Sequence, residues 1–462
     1  MPTSNSPLYV WVWLSRATEP VVAGRLDRVE GTETVAFTYA ESYLRNGSAI
    51  SLYEPELPLR TGTFLPTGGK AIASCIRDAG PDAWGQRVIF ARQRGHIGRD
   101  GDTGIIDVLT YLAESGSNRI GALDFQASPT EYVARTDTAT LEELHRAADL
   151  LDQGGELSRE LSEALLRGSS IGGARPKVLI QSEGRQYVAK FSSSSDAYPV
   201  MRAEAVGMEL ARRAELDVPQ SHLVTSLGKD VLLVERFDRV DEARRLMVSG
   251  LTMLDLDEMV ARYATYPDLA EVLRRWSAHP ADSQCELFTR IVFNVAIGNN
   301  DDHPRNHAAF WDGRHLELTP AYDLCPQLRS GGETAQVMAI GSDGARLSQF
   351  AVCVDAAADY GLDRSQATEI VDHIVETVHS NWDEAADLAR LSRAERDVLF
   401  GSAILNPYAS YGYSSGPSPR TSTTRRTKSP QSRRTSGPRH SSGEFTRREN
   451  AESDVRLEPP DL

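Results

Sequence analysis

The chain has 462 residues and a formal net charge of −15, with 50 Lys and Arg against 65 Asp and Glu, which argues against a nucleic-acid-binding surface spread over the whole body. That length allows two or three domains and a sizeable core. Four cysteines, at 75, 285, 325 and 353, show no close pairing, so they read as reduced, mostly buried thiols in a cytosolic compartment. No apolar run approaches a membrane span, and Met1-Pro2-Thr3-Ser4 lacks the regions of a signal peptide, so a soluble cytoplasmic protein is expected.

Leu8 to Leu14 alternates and is rich in aromatic and β-branched residues, which predicts a strand; Thr34 to Tyr39 predicts another and Ser51-Leu52-Tyr53 a third. Ile72 to Gln93 is helical in character, interrupted at Gly80-Pro81-Asp82. Ile105 to Ala113 is a short helix and Ile120 to Phe125 a strand, so residues 1–130 read as an α+β subdomain. The helical patterns Leu141 to Leu150 and Leu157 to Leu166 open a second region, 131–245. There Val178-Leu179-Ile180 and Gln186 to Phe191 flank a turn at 182–185, a hairpin. Val200 to Glu215 is helical and Val231 to Phe237 an apolar strand. Residues 246–403 read as mostly helical, best at Ala356 to Val378 and Trp382 to Leu399. Residues 404–462 are rich in Ser, Thr, Pro, Gly and Arg without any period, which predicts a disordered basic tail. The expected fold class is α+β: a two-lobed, protein-kinase-like body with an amino-terminal α+β subdomain and a mostly helical carboxy-terminal lobe.

The densest chemistry lies in Asn299-Asn300-Asp301-Asp302-His303-Pro304-Arg305-Asn306-His307, between the apolar-rich Phe288 to Ile297 and the short segment Ala308 to Trp311. A hairpin-like stretch follows and ends at Tyr322-Asp323. An Asp on a polar loop, an Asn five positions on and a second Asp beyond a hairpin is the order in which protein kinases place their catalytic loop and metal-binding acid. Asp301 is therefore the candidate to orient a Ser or Thr hydroxyl and take its proton. Asn306 and Asp323 are the candidate Mg2+ ligands, Asp323 bridging to the ATP phosphates. His303 is expected to shape this loop beside the nucleotide rather than to bind metal.

Lys190 ends an apolar strand, where it either snorkels to solvent or supplies a point charge to the phosphates. Glu204, in the following helix, is preferred over Glu209 to hold that ammonium. Gly172, Gly173 and Ala174 belong to a glycine-rich turn whose backbone N–H groups could approach phosphate, with Lys177 adding charge. The turn lacks the Walker order and by itself is as readily a flexible loop. The backbone of Val234 to Phe237, including Glu235 and Phe237, is assigned to the adenine edge, and Arg239 is expected to pair with Glu235 or Asp238.

Several of these segments resemble signatures of the HipA family, serine/threonine kinase toxins of bacterial type II toxin–antitoxin modules. They are Asn300-Asp301-Asp302-His303-Pro304-Arg305-Asn306, Tyr322-Asp323, Ser170 to Lys177 and Glu235-Arg236-Phe237-Asp238-Arg239. Leu57-Pro58-Leu59, Pro81-Asp82-Ala83-Trp84-Gly85 and Arg119-Ile120-Gly121-Ala122 extend the resemblance, which covers about residues 8–395. It implies ATP- and Mg-dependent phosphorylation of a protein Ser or Thr, with an aminoacyl-tRNA synthetase as one kind of target. It also implies autophosphorylation of the glycine-rich loop at Ser170, with Ser169 as competitor. A helix-turn-helix antitoxin is the implied partner, with DNA reached only through it. The long tail departs from the family pattern. Rival readings are a small-molecule hydroxyl kinase and a catalytically silent co-repressor.

Overall fold

The computed structural model describes residues 6–94, 106–135, 139–155, 158, 161, 165, 175–182, 184–193, 196–329 and 331–415. Five strands build the amino-terminal sheet: β1 (Leu8–Val12), β2 (Val21–Arg28), β3 (Val35–Tyr39), β4 (Thr63–Phe64) and β5 (Leu123–Gln126). Their order is β4-β3-β2-β1-β5, with antiparallel neighbours throughout. The central strand β2 escapes sequence reading because Gly24, Arg25 and Asp27 interrupt its apolar pattern. Gly24 is needed there: a Cβ would stand 2.4 Å from the Thr38 carbonyl oxygen. Ser51 to Tyr53 forms no strand, and only Tyr53 makes a single bridge, to Leu57.

Helix α1 (Ala83–Arg94) follows Asp82 and buries Trp84 and Val88. Beyond it, β6 (Lys177–Ser182), β7 (Arg185–Phe191), β8 (Ser221–Ser226) and β9 (Lys229–Glu235) form an antiparallel sheet in the order β6-β7-β9-β8. Helix α2 (Val200–Arg213) buries Ala203, Val206 and Leu210. A small hairpin of β10 (Arg239–Val240) and β11 (Ala243–Arg244) leads to a three-stranded sheet of β12 (Met247–Ser249), β13 (Ala308–Trp311) and β14 (Leu316–Leu318).

The helical part is dominated by α3 (Tyr266–Trp276), α4 (Pro280–Ile297) and α5 (Arg364–Leu388). The last turns of α4 are buried on every side, from Ile291 through Ile297. Gly298 ends it with φ +70° and lies against Ala403, whose carbonyl oxygen a Cβ would meet at 2.5 Å. The two patterns read at 356–378 and 382–399 are divided differently in the structure. Helix α5 starts at a capping box of Asp363 and Gln366 and runs through Trp382, and the chain turns at Arg390, which has φ +56°. The first residues assigned to the tail belong to the folded body, for Ile404 and Ala409 are fully buried and Tyr413 bonds Asp372 at 2.8 Å. Residues 416–462 and most of Leu157 to Leu166 lie outside the described residues. Cys75, Cys325 and Cys353 are buried, Cys285 is half-buried, and all four are free thiols. Among the described residues no helix is long and apolar enough to cross a membrane.

Candidate active site

Antiparallel pairing of β6 with β7 sets Lys177 directly opposite Lys190, so both side chains rise from one face of the sheet. Lys190 Nζ lies 2.5 Å from Glu204 Oε1 on α2 and 2.5 Å from Asp323 Oδ1. Glu209 is elsewhere, bonded to Arg212 and Arg213. Burial works against the Lys190 charge, but Asp323 and Glu204 outweigh it and raise its pKa. Asp323 is likewise opposed by burial, yet Lys190 and Lys177 hold it well below the usual carboxylate range. Its side chain remains 40% exposed, which leaves a carboxylate edge open for a ligand.

The Asp323 backbone has φ +61°, a left-handed conformation that costs a residue other than glycine about 1–3 kcal/mol. The neighbours enforce it. Tyr322 donates its hydroxyl to the Arg305 carbonyl at 2.8 Å, and Asn299 Nδ2 donates to the Asp323 carbonyl at 3.3 Å. Tyr322 also stacks on Phe237, with ring centroids 5.7 Å apart.

The polar loop is anchored by Asp302. Its Oδ2 accepts from Tyr266 at 2.6 Å and Asn294 at 2.8 Å and pairs with His307 Nε2 at 2.9 Å, all buried. Burial opposes the Asp302 charge, and His307 overcomes it, keeping the pKa below normal. Asn294 extends the network by accepting from Asn299 Nδ2 at 3.0 Å. With Asp302 held inward, Asp301 next to it faces solvent. Desolvation by the surrounding cleft, with Asp323 and Asp302, raises the Asp301 pKa against the pull of His303 and Arg175. A raised carboxyl is a better proton acceptor. Asn306 donates its amide NH2 to the Asp301 carbonyl at 3.4 Å, which points its amide oxygen the other way. His303 begins the turn Pro304–Asn306, and its field reaches Asp301, Asp302 and Asp323.

Along Val234 to Phe237, the Glu235 N–H donates to the Gln220 carbonyl and the Arg236 N–H to the Gln186 carbonyl, both at 2.8 Å, so these two donors serve the sheet. The Glu235 carboxylate meets Arg185 at 3.0 Å, and Phe237 packs on Tyr322 and Phe310. Arg239 pairs with Asp238 at 2.8 Å rather than with Glu235. The segment is a clasp: Asp238 accepts from the Gly121 N–H at 2.7 Å, while Arg236 and Arg239 each donate to the Arg119 carbonyl at 2.6 Å. Ser169, Ser170, Gly172, Gly173 and Ala174 lie outside the described residues. The sequence gives no role to Asn294 or Tyr266 and names Asn299 only as part of the polar run; the structure joins all three to the Asp302 and Asp323 network. The signal for the asparagines was their place at the end of a buried apolar helix, where an unpaired amide is costly.

Residues 12–126 match the family model described as HipA N-terminal domain, and residues 169–382 match the one described as HipA-like C-terminal domain. The chain belongs to the HipA family. A candidate kinase of Sinorhizobium fredii, Y4mE, is 29% identical over 226 residues, 45% of this chain and 50% of the relative. A candidate kinase of Haemophilus influenzae is 25% identical over 180 residues, 34% of this chain and 52% of the relative. The chain thus spans about half the length of these relatives. HipA of Shewanella oneidensis MR-1, solved with HipB and operator DNA, superimposes with a TM-score of 0.60 at 18% identity, covering 82% of this chain and 92% of that one. The likeness is one of fold, and it places this chain in the kinase-like architecture of HipA.

Proposed function

We propose that this chain is a serine/threonine protein kinase using ATP and Mg2+, the toxin of a type II toxin–antitoxin module, restrained by autophosphorylation at Ser170 or Ser169. The observation that carries this reading is Lys190 clamped between Glu204 and Asp323, with Asp301 near enough to feel the Asp323 charge. The Asp323 carboxylate and the Asn306 amide oxygen form an oxygen donor set suited to a hard cation. Bound Mg2+ would offset negative charge on the phosphates. Lys190 and Lys177 orient the phosphates, and Glu204 fixes Lys190. Asp301 aligns the incoming hydroxyl and accepts its proton as the new oxygen–phosphorus bond forms and the bond to the ADP oxygen breaks. Phosphate on the glycine-rich loop would compete with ATP phosphates for the same donors. The family resemblance supports a helix-turn-helix antitoxin as partner, DNA contact through that partner, and a translation component such as an aminoacyl-tRNA synthetase as substrate. The complex of the Shewanella protein with HipB and operator DNA supports such a partner.

The test is incubation with Mg-ATP, followed by intact mass and phosphosite mapping, beside Asp301→Ala. Phosphate on Ser170 or Ser169 in the parent alone supports the reading. Starting protein that carries no phosphate and binds no ATP removes it.

A further inference from the structure

Asp82 stands at the head of α1, distant in sequence from the residues assigned above, and its side chain is 4% exposed. Oδ1 accepts the Gly85 N–H at 2.7 Å and so caps the helix. Oδ2 has no hydrogen-bond partner among the described residues and lies 3.9 Å from Lys177 Nζ. A cap alone does not account for this arrangement, since Asn, Ser or Thr caps a helix without burying a charge.

Lys177 does account for it. Its ammonium shares one face of the sheet with Lys190, and the two repel in a buried site. Burial works against the Lys177 charge; among the described residues Asp82 is its strongest counterweight and Asp323 the next. Asp323 is itself engaged by Lys190. Arg305 on the polar loop also acts on Asp82, so this carboxylate senses both sides of the cleft.

We infer that Asp82 is a positioning residue of the nucleotide site: it keeps the Lys177 ammonium charged and aimed at the phosphates, which makes the amino-terminal HipA region part of the catalytic apparatus. The inference rests on the nucleotide reading above.

Asp82→Asn keeps volume and cap but removes the charge. Melting temperature reads the cap, ATP affinity by calorimetry reads the site, and acetic anhydride labelling mapped by mass spectrometry reads the Lys177 amine directly. The expected result is a melting temperature no lower than that of the parent, ATP binding weaker by about tenfold, and Lys177 labelled several-fold faster while other lysines are unaffected. On a Lys177→Met background the same substitution should weaken ATP binding no further, because it acts through Lys177. Parental ATP affinity and parental Lys177 labelling in Asp82→Asn would overturn the inference and leave the kinase reading standing. A lower melting temperature with unchanged labelling makes Asp82 a cap only and overturns it too. A parent that binds no ATP removes the kinase reading instead; unchanged labelling would then remove the pairing as well.

Discussion

Gly207 on α2 lies against Leu324, so close that a Cβ on Gly207 would stand 2.0 Å from the Leu324 carbonyl oxygen. Gly207 is one turn beyond Glu204, and Leu324 directly follows Asp323, so this contact sets the distance between the two acids that hold Lys190. Alanine at a helix interior is normally favoured over glycine by about 1 kcal/mol. Here the obstacle is backbone, which cannot rotate away, and overpacking costs about 1–3 kcal/mol. Gly207→Ala should therefore lower stability in urea and cut autophosphorylation by about a hundredfold through misplacement of Asp323.

Removing the charge between those acids should be worse for folding than removing one acid. Lys190→Met leaves Glu204 and Asp323 facing each other, and breaking a buried pair costs about 3–5 kcal/mol. Adding Glu204→Gln should restore part of that loss without restoring phosphorylation. Denaturation midpoints that simply add across the two substitutions would contradict the coupling.

Asp302 should behave as a structural anchor. Asp302→Ala strands Tyr266, Asn294 and His307, each a buried group whose lost partner costs about 1–3 kcal/mol. Because the folded pKa of Asp302 is depressed, its contribution is present above the ordinary value of 3.8 and is lost as pH falls through the folded value. Acid unfolding curves of parent and Asp302→Asn should converge at low pH.

Asp82 should give the opposite pH dependence. Burial pushes it up to about 7 despite Lys177 on β6, the Gly85 N–H and Arg305 on the polar loop. A raised acid binds its proton more tightly when folded, so its contribution to stability is full below about 3.8 and is lost as pH rises toward about 7. ATP affinity should run the other way, strengthening as Asp82 ionises and pairs with Lys177. Melting temperature and KM for ATP, measured from pH 6 to 8, should both lose these slopes in Asp82→Asn.

Asp238 tests the clasp. Burial opposes its charge, but Arg236 and Arg239 hold its pKa far down. Asp238→Ala leaves two buried guanidinium groups without their acid and should destabilise by about 3–5 kcal/mol. Folded protein should keep the parental KM for ATP. A raised KM with unchanged stability would make Asp238 part of the nucleotide site and not of a clasp.

Lys190, Glu204, Asp301, Asn306 and Asp323 were legible because a strand, a helix and a loop each carry them with short, fixed spacing. Their supports were not. Asn294, Asn299 and Tyr266 look like ordinary helix and loop residues until folding brings them to Asp302 and Asp323. Asp82 reads as a turn residue because its cap is local, whereas its link to Lys177 joins the head of α1 to β6, far along the chain. Strands β2 and β8 were missed since the burial of each alternates imperfectly, with polar residues where a solvated face was expected. Arg236, Asp238 and Arg239 read as neighbours of the adenine edge at Val234 to Phe237, and their bonds to Arg119 and Gly121 were hidden because a strand leaving the sheet can serve a ligand or another part of the chain equally well.

The amino-terminal region bonds to both lobes. Gly121 and Arg119 meet the clasp on the β-rich side, while Asp78 accepts from the Ser249 N–H and the Thr252 hydroxyl at 2.7 Å each and Ser51 accepts from Trp311 at 2.9 Å. The cleft is a hinge with a strut across it, and swinging it wide means breaking one set of these buried contacts. On the proposed kinase reading, exchange of ADP is then expected to be the slow event of each cycle, with amide hydrogen exchange near Gly121 and Ser249 equally slow with and without nucleotide. On that same reading, a partner that pried loose one end of the strut would change the rate of turnover without touching Asp301 or Lys190.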